Sequence, residues 1–399
     1  EEIRKYLYKK YGKETLYSEG LIIKTSINSK LQNFTNQSLL DGLIKYEKSQ
    51  GWRGPIDNVN EENFYKNENF YKQINPFVGK WVPVCIKAFK NQNTIIAKDH
   101  FKNNHSIQIN NNQNNWLLNE NFQKGDIIFI ETINGEHTVR QIPEVNGAIV
   151  VMNPTNGDVL ALSGGYSFKI SEFNRATQAK RQPGSAFKPF VYMTALSEGY
   201  TPSTLILDAP YVIDQGPGLP KWKPANYTEE FYGLTTMRTG IEKSRNLMTV
   251  RLANRLGMDK IISTLKNFGI DEGVTNQLSM SLGSGLITLL DITNAYGIIA
   301  NGGIKITPKL ISSIYSKDGK IIYNSNLKKC NNCKVNILNR NLKEIPKIIN
   351  NQEYSIDPKI AYQITSMMEG VIKRGTAKRL KDFNVPIAGK TGTTNENKD

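Results

Sequence analysis

The sequence predicts an α/β (α+β) chain of more than one domain, in which a small OB-like β-barrel precedes a larger unit of hairpin and helices. Three observations predict it. Five short β-rich runs with Gly and Asn turns fall between Trp81 and Gln141. At Gly147 the texture changes: Ala148–Met152 and Val159–Ser163 flank the turn Asn153-Pro154-Thr155-Asn156-Gly157-Asp158, a β-hairpin that opens a new domain. Longer apolar segments with helical spacing follow, separated by Gly- and Pro-rich loops.

The 399 residues suffice for two or three domains, and a hydrophobic share of 39% supports folded cores. No run approaches the roughly 18 apolar residues of a membrane span, and no signal-peptide pattern is present. The chain begins Glu1-Glu2-Ile3, without methionine, so an upstream segment holding a membrane anchor is expected. The net charge of +15 is spread over dispersed lysines, without an Arg-rich tract or zinc-finger spacing. It describes a basic surface, and nucleic acid is not an expected partner. Cys85, inside a strand-like run, reads as a buried small hydrophobe. Cys330-x-x-Cys333 leaves a redox pair, half a zinc site, a loop disulfide or two free thiols open. No second Cys/His pair follows, which argues against zinc. No metal and no cofactor is expected.

The elements run as follows. A short helix around Glu2–Lys10 stops at Gly12, and a strand covers Leu21–Thr25. An amphipathic helix from Leu31 to about Tyr46 would bury Leu31, Phe34, Leu39, Leu40, Leu43 and Ile44. The first 50 residues read as a linker or pedestal. Gly51-Trp52-Arg53-Gly54-Pro55 is a break, and residues 56–75 read as a long connection. Strands at Trp81–Ala88, Thr94–Ala97, Ile107–Ile109, Asp126–Thr132 and His137–Gln141 give the OB-like domain, residues 51–145. The third domain, residues 146–399, starts with the hairpin. A helix runs from Ser185 to about Ser197 and is apolar enough to be packed on several sides. Residues 200–236 wrap one side of a cleft. Helices follow at Thr236–Ser244, Met248–Leu256, Asp259–Phe268 and Leu289–Asn301. Strands at Lys305–Ser316 and Lys320–Asn324 meet at the Asp318-Gly319 turn. A polar excursion covers 326–356, Pro358–Lys373 is a helix, and Val385–Thr394 enters a strand.

Chemistry centres on Ser185-Ala186-Phe187-Lys188. Lys188 lies about one turn after Ser185 and faces the same side, and the serine sits at the positive end of the helix dipole. A lysine beside a serine hydroxyl is one way to make a nucleophile without histidine. Ser-x-x-Lys also occurs at Ser263/Lys266 and Ser325/Lys328, so the motif needs support. Two further motifs supply it. Ser244-Arg245-Asn246 follows Ser185 by 59 residues, and Lys390-Thr391-Gly392 follows Ser244 by 146. Ser-x-x-Lys, Ser-x-Asn and Lys-Thr-Gly in that order mark penicillin-binding proteins and serine β-lactamases. The three histidines, His100, His105 and His137, all fall in the barrel region, and no Gly-x-Ser-x-Gly occurs, so a Ser-His-Asp hydrolase is disfavoured.

Residues 147–397 resemble the transpeptidase domain of the bifunctional class A penicillin-binding proteins of the 1A subtype. The matching stretches include Gly147–Gly165, Asn174–Ala179, Arg181–Phe190, Pro224–Tyr227, Ser244–Leu247, Leu282–Gly285, Ala300–Gly303 and Ile387–Thr394. Upstream, Gly51–Pro55 and the strand-rich insert resemble the same subtype. The resemblance implies a penicillin-binding-protein/β-lactamase-like fold, an antiparallel sheet with helices on both faces, here without its C-terminal strands. It implies a serine-type D-Ala-D-Ala transpeptidase, also acylated by β-lactam antibiotics. Ser185 would be the nucleophile and Lys188 its base. Ser244 would relay a proton, Asn246 would bind the substrate amide and Lys188, and Lys390 would orient Ser244. Thr391 and Thr393 would hold the substrate carboxylate, and Gly392 would let substrate backbone approach. The N–H groups of Ser185 and Thr393 would form the oxyanion hole. The implied partners are peptidoglycan stem peptides, β-lactams and other cell-wall synthesis proteins. The implied location is the periplasmic face of the bacterial inner membrane, in a parent protein that also carries a glycosyltransferase domain.

Two alternatives stay open. A serine β-lactamase would need a base for a deacylating water, and Glu272, four residues before Asn276, offers one on paper. A non-catalytic penicillin- or peptidoglycan-binding scaffold would need none of this chemistry.

Overall fold

α1 (Glu2–Ser18) is broken at Gly12, whose φ of 82° lies outside the helical region. The expected stop is there, and the helix resumes beyond it. The computed structural model describes residues 1–77, 79–214, 216, 218, 220–325 and 352–393, with the backbone of 330–331 and 347–348. The residues group into two units. One comprises Glu1–Leu31, Val150–Ala161 and Thr177 onward, the other Gln32–Ile149 and Leu162–Ala176. Among the described residues no helix is long and apolar enough to cross a membrane.

β1 (Ile22–Thr25) leads to α2 (Ser29–Gln50). Its buried stripe runs Thr35, Leu39, Leu43 and Glu47, so Phe34 lies off to one side and is 58% exposed, against expectation. In the second unit, the stretch read as a connection contains β2 (Asp57–Asn58), α3 (Glu61–Lys66) and α4 (Glu68–Ile74). The Asn60 side chain caps α3 by accepting from the Asn63 N–H. Phe64 and Tyr71 anchor both helices in a cluster with Cys85 and Ile127. Each helix has a single fully buried anchor in an otherwise largely polar stretch, which is what hid them.

All five expected strands form: β3 (Trp81–Asn91), β4 (Thr94–Lys98), β5 (Asn104–Gln108), β6 (Asp126–Ile133) and β7 (Glu136–Arg140). They make an antiparallel sheet of order β2-β6-β3-β4-β5, with β7 also on β6. Alternate residues Val84, Ile86, Ile128 and Ile130 face one core with Ile107 and Val139. Closure would require β5 to pair with β7. Among the described residues β5 pairs with β4 alone and β7 with β6 alone, so the ladder is open rather than a closed barrel.

The hairpin of β8 (Ile149–Met152) and β9 (Val159–Ser163) forms as expected. β10 (Lys180–Arg181) precedes a 3₁₀ turn, Gly184–Phe187, that runs straight into α5 (Lys188–Ser197). Every α5 residue from Lys188 to Leu196 is buried. Around it lie α6 (Met237–Glu242), α7 (Asn246–Leu256) and α8 (Met258–Asn267), which follow the ribbon of β11 (Leu205–Asp208) and β12 (Gly233–Thr236). β13 (Ile287–Thr288) pairs with β10 and leads into α9 (Leu289–Ala300). The core joins Phe187, Phe190, Met193, Met248, Leu252, Phe268, Ile298 and Met367. Side-chain caps set the helix starts: Thr236 for α6, Thr288 for α9 and Asp357 for α10 (Pro358–Lys373).

β14 (Ile311–Tyr315) lies between β1 and β15 (Ile321–Asn324) in an antiparallel sheet, and Leu7 of α1 packs on Ile311 and Ile314. The strand expected from Lys305 starts only at Ile311. Pro308 has no N–H and breaks the ladder there. Cys333 and most of the 326–356 excursion lie outside the described residues; the backbone of Cys330–Asn331 pairs with Lys347–Ile348. Residues 385–393 are not a strand, against expectation, because among the described residues no strand lies alongside to form the ladder. Thr394 lies outside the described residues.

Candidate active site

The site is assembled where the 3₁₀ turn meets the loop between α6 and α7 and the segment 390–393. Ser185 stands in that turn, half-buried, one residue after Gly184. Close backbone approach explains the glycines. A Cβ on Gly184 would lie 2.5 Å from the Thr393 carbonyl oxygen, and one on Gly283 would lie 2.1 Å from the Gly184 carbonyl oxygen. Gly392 packs against Pro183 in the same way, with its would-be Cβ 2.9 Å from that carbonyl oxygen. The Ser185 and Thr393 peptides are thus brought side by side. Tyr296, half-buried on α9, donates its hydroxyl to the Ala186 carbonyl at 2.7 Å and holds the turn from behind.

Lys188 is the first residue of α5 and is fully buried. Its Nζ contacts the Ser244 carbonyl at 2.7 Å, Asn246 Oδ1 at 2.6 Å and Ser244 Oγ at 3.3 Å. Lys390 Nζ reaches the same Ser244 Oγ at 2.8 Å and also the Thr391 carbonyl at 2.8 Å. One hydroxyl therefore sits between two amines from two different motifs. Among the described residues no hydrogen bond joins Ser185 Oγ to Lys188 Nζ, where the helical spacing had placed a direct partner. Burial, reinforced by the charge of Lys390, holds the Lys188 amine well below the ordinary lysine range. Burial also brings Lys390 down to about 8.

Ser244 has φ of 57°, a left-handed conformation that costs a non-glycine residue energy. Hydrogen bonds of Ser244 N–H to Ile241 and Arg245 N–H to Gly240 impose it. The next residues are fixed by Asn226, a residue whose role the motifs do not reveal. Asn226 Oδ1 accepts from the N–H groups of Asn246 and Leu247, at 2.9 and 3.2 Å, and so caps α7 from a distance. Its Nδ2 donates to buried Asp208 and to the Glu230 carbonyl. Asn246 Nδ2 donates to the Ala225 carbonyl at 2.8 Å, which turns Oδ1 toward Lys188. In the sequence the stretch Pro224–Tyr227 carries only a family resemblance. The buried amide inside a Pro-rich loop was the available signal.

Lys188, Ser244, Asn246 and Lys390 are thus brought together by direct hydrogen bonds, and Thr393 and Gly392 pack on the backbone at Gly184 and Pro183, beside Ser185. Thr391 Oγ1 shares a 2.7 Å hydrogen bond with Thr376 Oγ1, a residue that no motif singled out. The other Ser-x-x-Lys copies are elsewhere: Ser263 and Lys266 are exposed on α8, and Lys328 lies outside the described residues. Glu272 is 81% exposed and paired with Lys180 at 2.6 Å. Asn276 bonds Asp259. The histidines lie in the second unit.

The arrangement is of the serine–lysine kind, with no histidine at its centre. The chain belongs to the family described as the penicillin binding protein transpeptidase domain, whose model matches residues 147–399. It is 41% identical over 408 residues to penicillin-binding protein 1A of Rickettsia bellii, covering 100% of this chain and 51% of that protein. It is 32% identical to penicillin-binding protein 1A of Pseudomonas aeruginosa, covering 98% and 52%. Its fold matches the crystal structure of penicillin-binding protein 1A from Haemophilus influenzae with a TM-score of 0.83 at 27% identity, covering 99% of this chain and 62% of that one. The chain spans about half the length of the curated relatives it matches.

Proposed function

We propose that this chain is a D,D-transpeptidase that cross-links peptidoglycan stem peptides ending in D-Ala-D-Ala, and that penicillin acylates the same serine. One observation carries the reading: Ser244 Oγ held between Lys188 Nζ and Lys390 Nζ. It supports a proton path that uses a buried amine of lowered proton affinity in place of histidine.

Ser185 Oγ attacks the penultimate D-Ala carbonyl and passes its proton to Lys188 as the ester bond forms. The N–H groups of Ser185 and Thr393 hold the oxyanion. The peptide bond then breaks, and the leaving amine takes a proton through Ser244. Terminal D-Ala departs. The amino group of a neighbouring stem peptide attacks the acyl-enzyme ester, forms the cross-link and frees Ser185. Asn246 binds the substrate amide, and Lys390 with the Thr391 and Thr393 hydroxyls takes the substrate carboxylate. Gly392 leaves room for substrate backbone to lie along the segment as an added strand. For the whole protein we propose a pedestal over 1–50, an OB-like spacer over 51–145 and the transpeptidase over 146–399. An anchor in the cytoplasmic membrane would present the site on its periplasmic face, together with a glycosyltransferase domain.

The β-lactamase reading needs a carboxylate poised for water at the acyl ester. Glu272 is spent on a surface ion pair with Lys180, which weighs against it. Fluorescent penicillin tests the set. A stable adduct lost in Ser185→Ala supports the transpeptidase, rapid turnover of the adduct supports a β-lactamase, and no adduct supports a scaffold. Release of D-Ala from a stem peptide, and not of L-Ala from its L-ended analogue, tests substrate specificity.

A further inference from the structure

A chain of contacts outside the three motifs links the loop of Ser244 to the segment of Lys390. Glu242 ends α6 two residues before Ser244, and its side chain is only 6% exposed. Arg374, just past α10, grips that carboxylate with two N–H groups, Nη2 to Oε1 at 2.5 Å and Nε to Oε2 at 3.2 Å. Gly370 makes the space, since a Cβ there would lie 1.9 Å from Glu242 Oε1. The backbones are tied as well. Lys243 Nζ donates to the Arg374 carbonyl at 2.7 Å, and the Thr376 N–H donates to the Glu242 carbonyl at 3.2 Å. Thr376 Oγ1 then meets Thr391 Oγ1 at 2.7 Å. Lys390, next in sequence to Thr391, returns to Ser244 Oγ and closes a ring.

We propose that the Arg374-Gly375-Thr376 turn is a positioning brace, which fixes the Ser244 hydroxyl against Lys390 and orients the Thr391 hydroxyl toward the substrate carboxylate. For its chemistry the proposal rests on the transpeptidase reading; for its geometry it does not. A buried carboxylate held by a two-pronged guanidinium cannot let go without stranding its charge, so the Ser244 loop is pinned to the end of α10. Two hydroxyls share one hydrogen in the Thr376–Thr391 bond. Where Thr376 donates, the Thr391 hydrogen is free to point at an incoming carboxylate. Neither Arg374 nor Thr376 touches the reacting atoms.

The test uses Thr376→Val, which keeps the backbone N–H and the side-chain shape, with Thr376→Ser as the restoring variant. Arg374→Ala and Arg374→Lys probe the other arm. Acylation by a fluorescent penicillin is followed against its concentration in the full-length protein. Thr376→Val is expected to raise the half-saturating concentration about tenfold with little change in limiting rate, and Thr376→Ser to restore it. Arg374→Ala is expected to lower the limiting rate about tenfold or more, with partial recovery in Arg374→Lys. An NMR titration of the Lys390 amine reads the brace without any acylation. Loosening Ser244 admits water to Lys390, so its titration moves upward in Arg374→Ala and Thr376→Val. Unchanged half-saturation in Thr376→Val, or an unchanged Lys390 titration in these variants, overturns the brace. An unmodified protein that never acylates refutes the transpeptidase reading, and the titration then decides the brace alone. If Arg374→Ala does not fold, the two Thr376 variants still decide it.

Discussion

Ser244 Oγ and Lys390 Nζ, 146 residues apart in the chain, meet at 2.8 Å. The contact joins a strained loop between two helices to the segment near residue 390, and it gives the hydroxyl a second amine besides Lys188. Ser244→Ala removes the one atom both amines share. Penicillin acylation is expected to slow by about 100-fold or more, the usual scale for a lost proton-transfer group, while Ser244→Thr retains part of the rate. Stopped-flow labelling measures both. A Ser244→Ala rate within a few fold of the parent's counts against the relay.

The two lysines set the pH dependence. In the proposed mechanism acylation needs Lys188 neutral, and its pKa lies well below the ordinary range. It needs Lys390 charged, and Lys390 loses its proton at about 8. The acylation rate should therefore rise with pH on the acid side as Lys188 deprotonates, and fall above about 8. Stability runs the opposite way on the alkaline side. Between about 8 and 10.5 the unfolded chain keeps a proton that folded Lys390 has lost, so Lys390 makes unfolding harder as pH rises. Denaturant melts of the parent and of Lys390→Gln across pH 7 to 11 isolate this slope. A rate that keeps rising past pH 10 contradicts the role given to Lys390.

Asn226→Ala strips the α7 N-terminus of its cap and leaves two N–H groups and the Asp208 carboxylate short of a partner. A loss of about 1–3 kcal/mol in stability is expected. Acylation should also slow, because Asn246 is the first residue of the helix that Asn226 holds. Urea unfolding with parallel labelling measures both, and a variant that is destabilised but acylates at the parent rate places Asn226 in the scaffold alone.

Glu272→Gln breaks an exposed ion pair with Lys180. Stability should barely change, because solvent screens so exposed a pair. The lifetime of the penicillin adduct should match the parent's. A longer-lived adduct in Glu272→Gln would revive the β-lactamase reading.

Much of this was legible in the sequence where chemistry and periodicity agree. The order Ser185–Lys188, Ser244–Asn246, Lys390–Gly392 marks residues that the fold brings together. The apolar run after Ser185 marks the buried helix, and the turn at 153–158 marks the hairpin. What stayed hidden depends on three-dimensional partners. The helices of Phe64 and Tyr71 have one buried anchor each in a polar stretch. Phe34 satisfied an apolar pattern but lies beside the buried stripe of its helix. The Lys390 segment has the composition of a strand, yet strandness is a property of a pair. Arg374, Thr376 and Asn226 carry no motif, because their roles come from what they reach across the fold.

The central claim is that Ser185 is the acylated residue. Treating the full-length protein with penicillin and mapping the adduct by mass spectrometry tests it most directly. One penicilloyl group per chain is expected, on the peptide that contains Ser185, and none in a folded Ser185→Ala variant. An adduct that persists in Ser185→Ala, or maps to another residue, contradicts it.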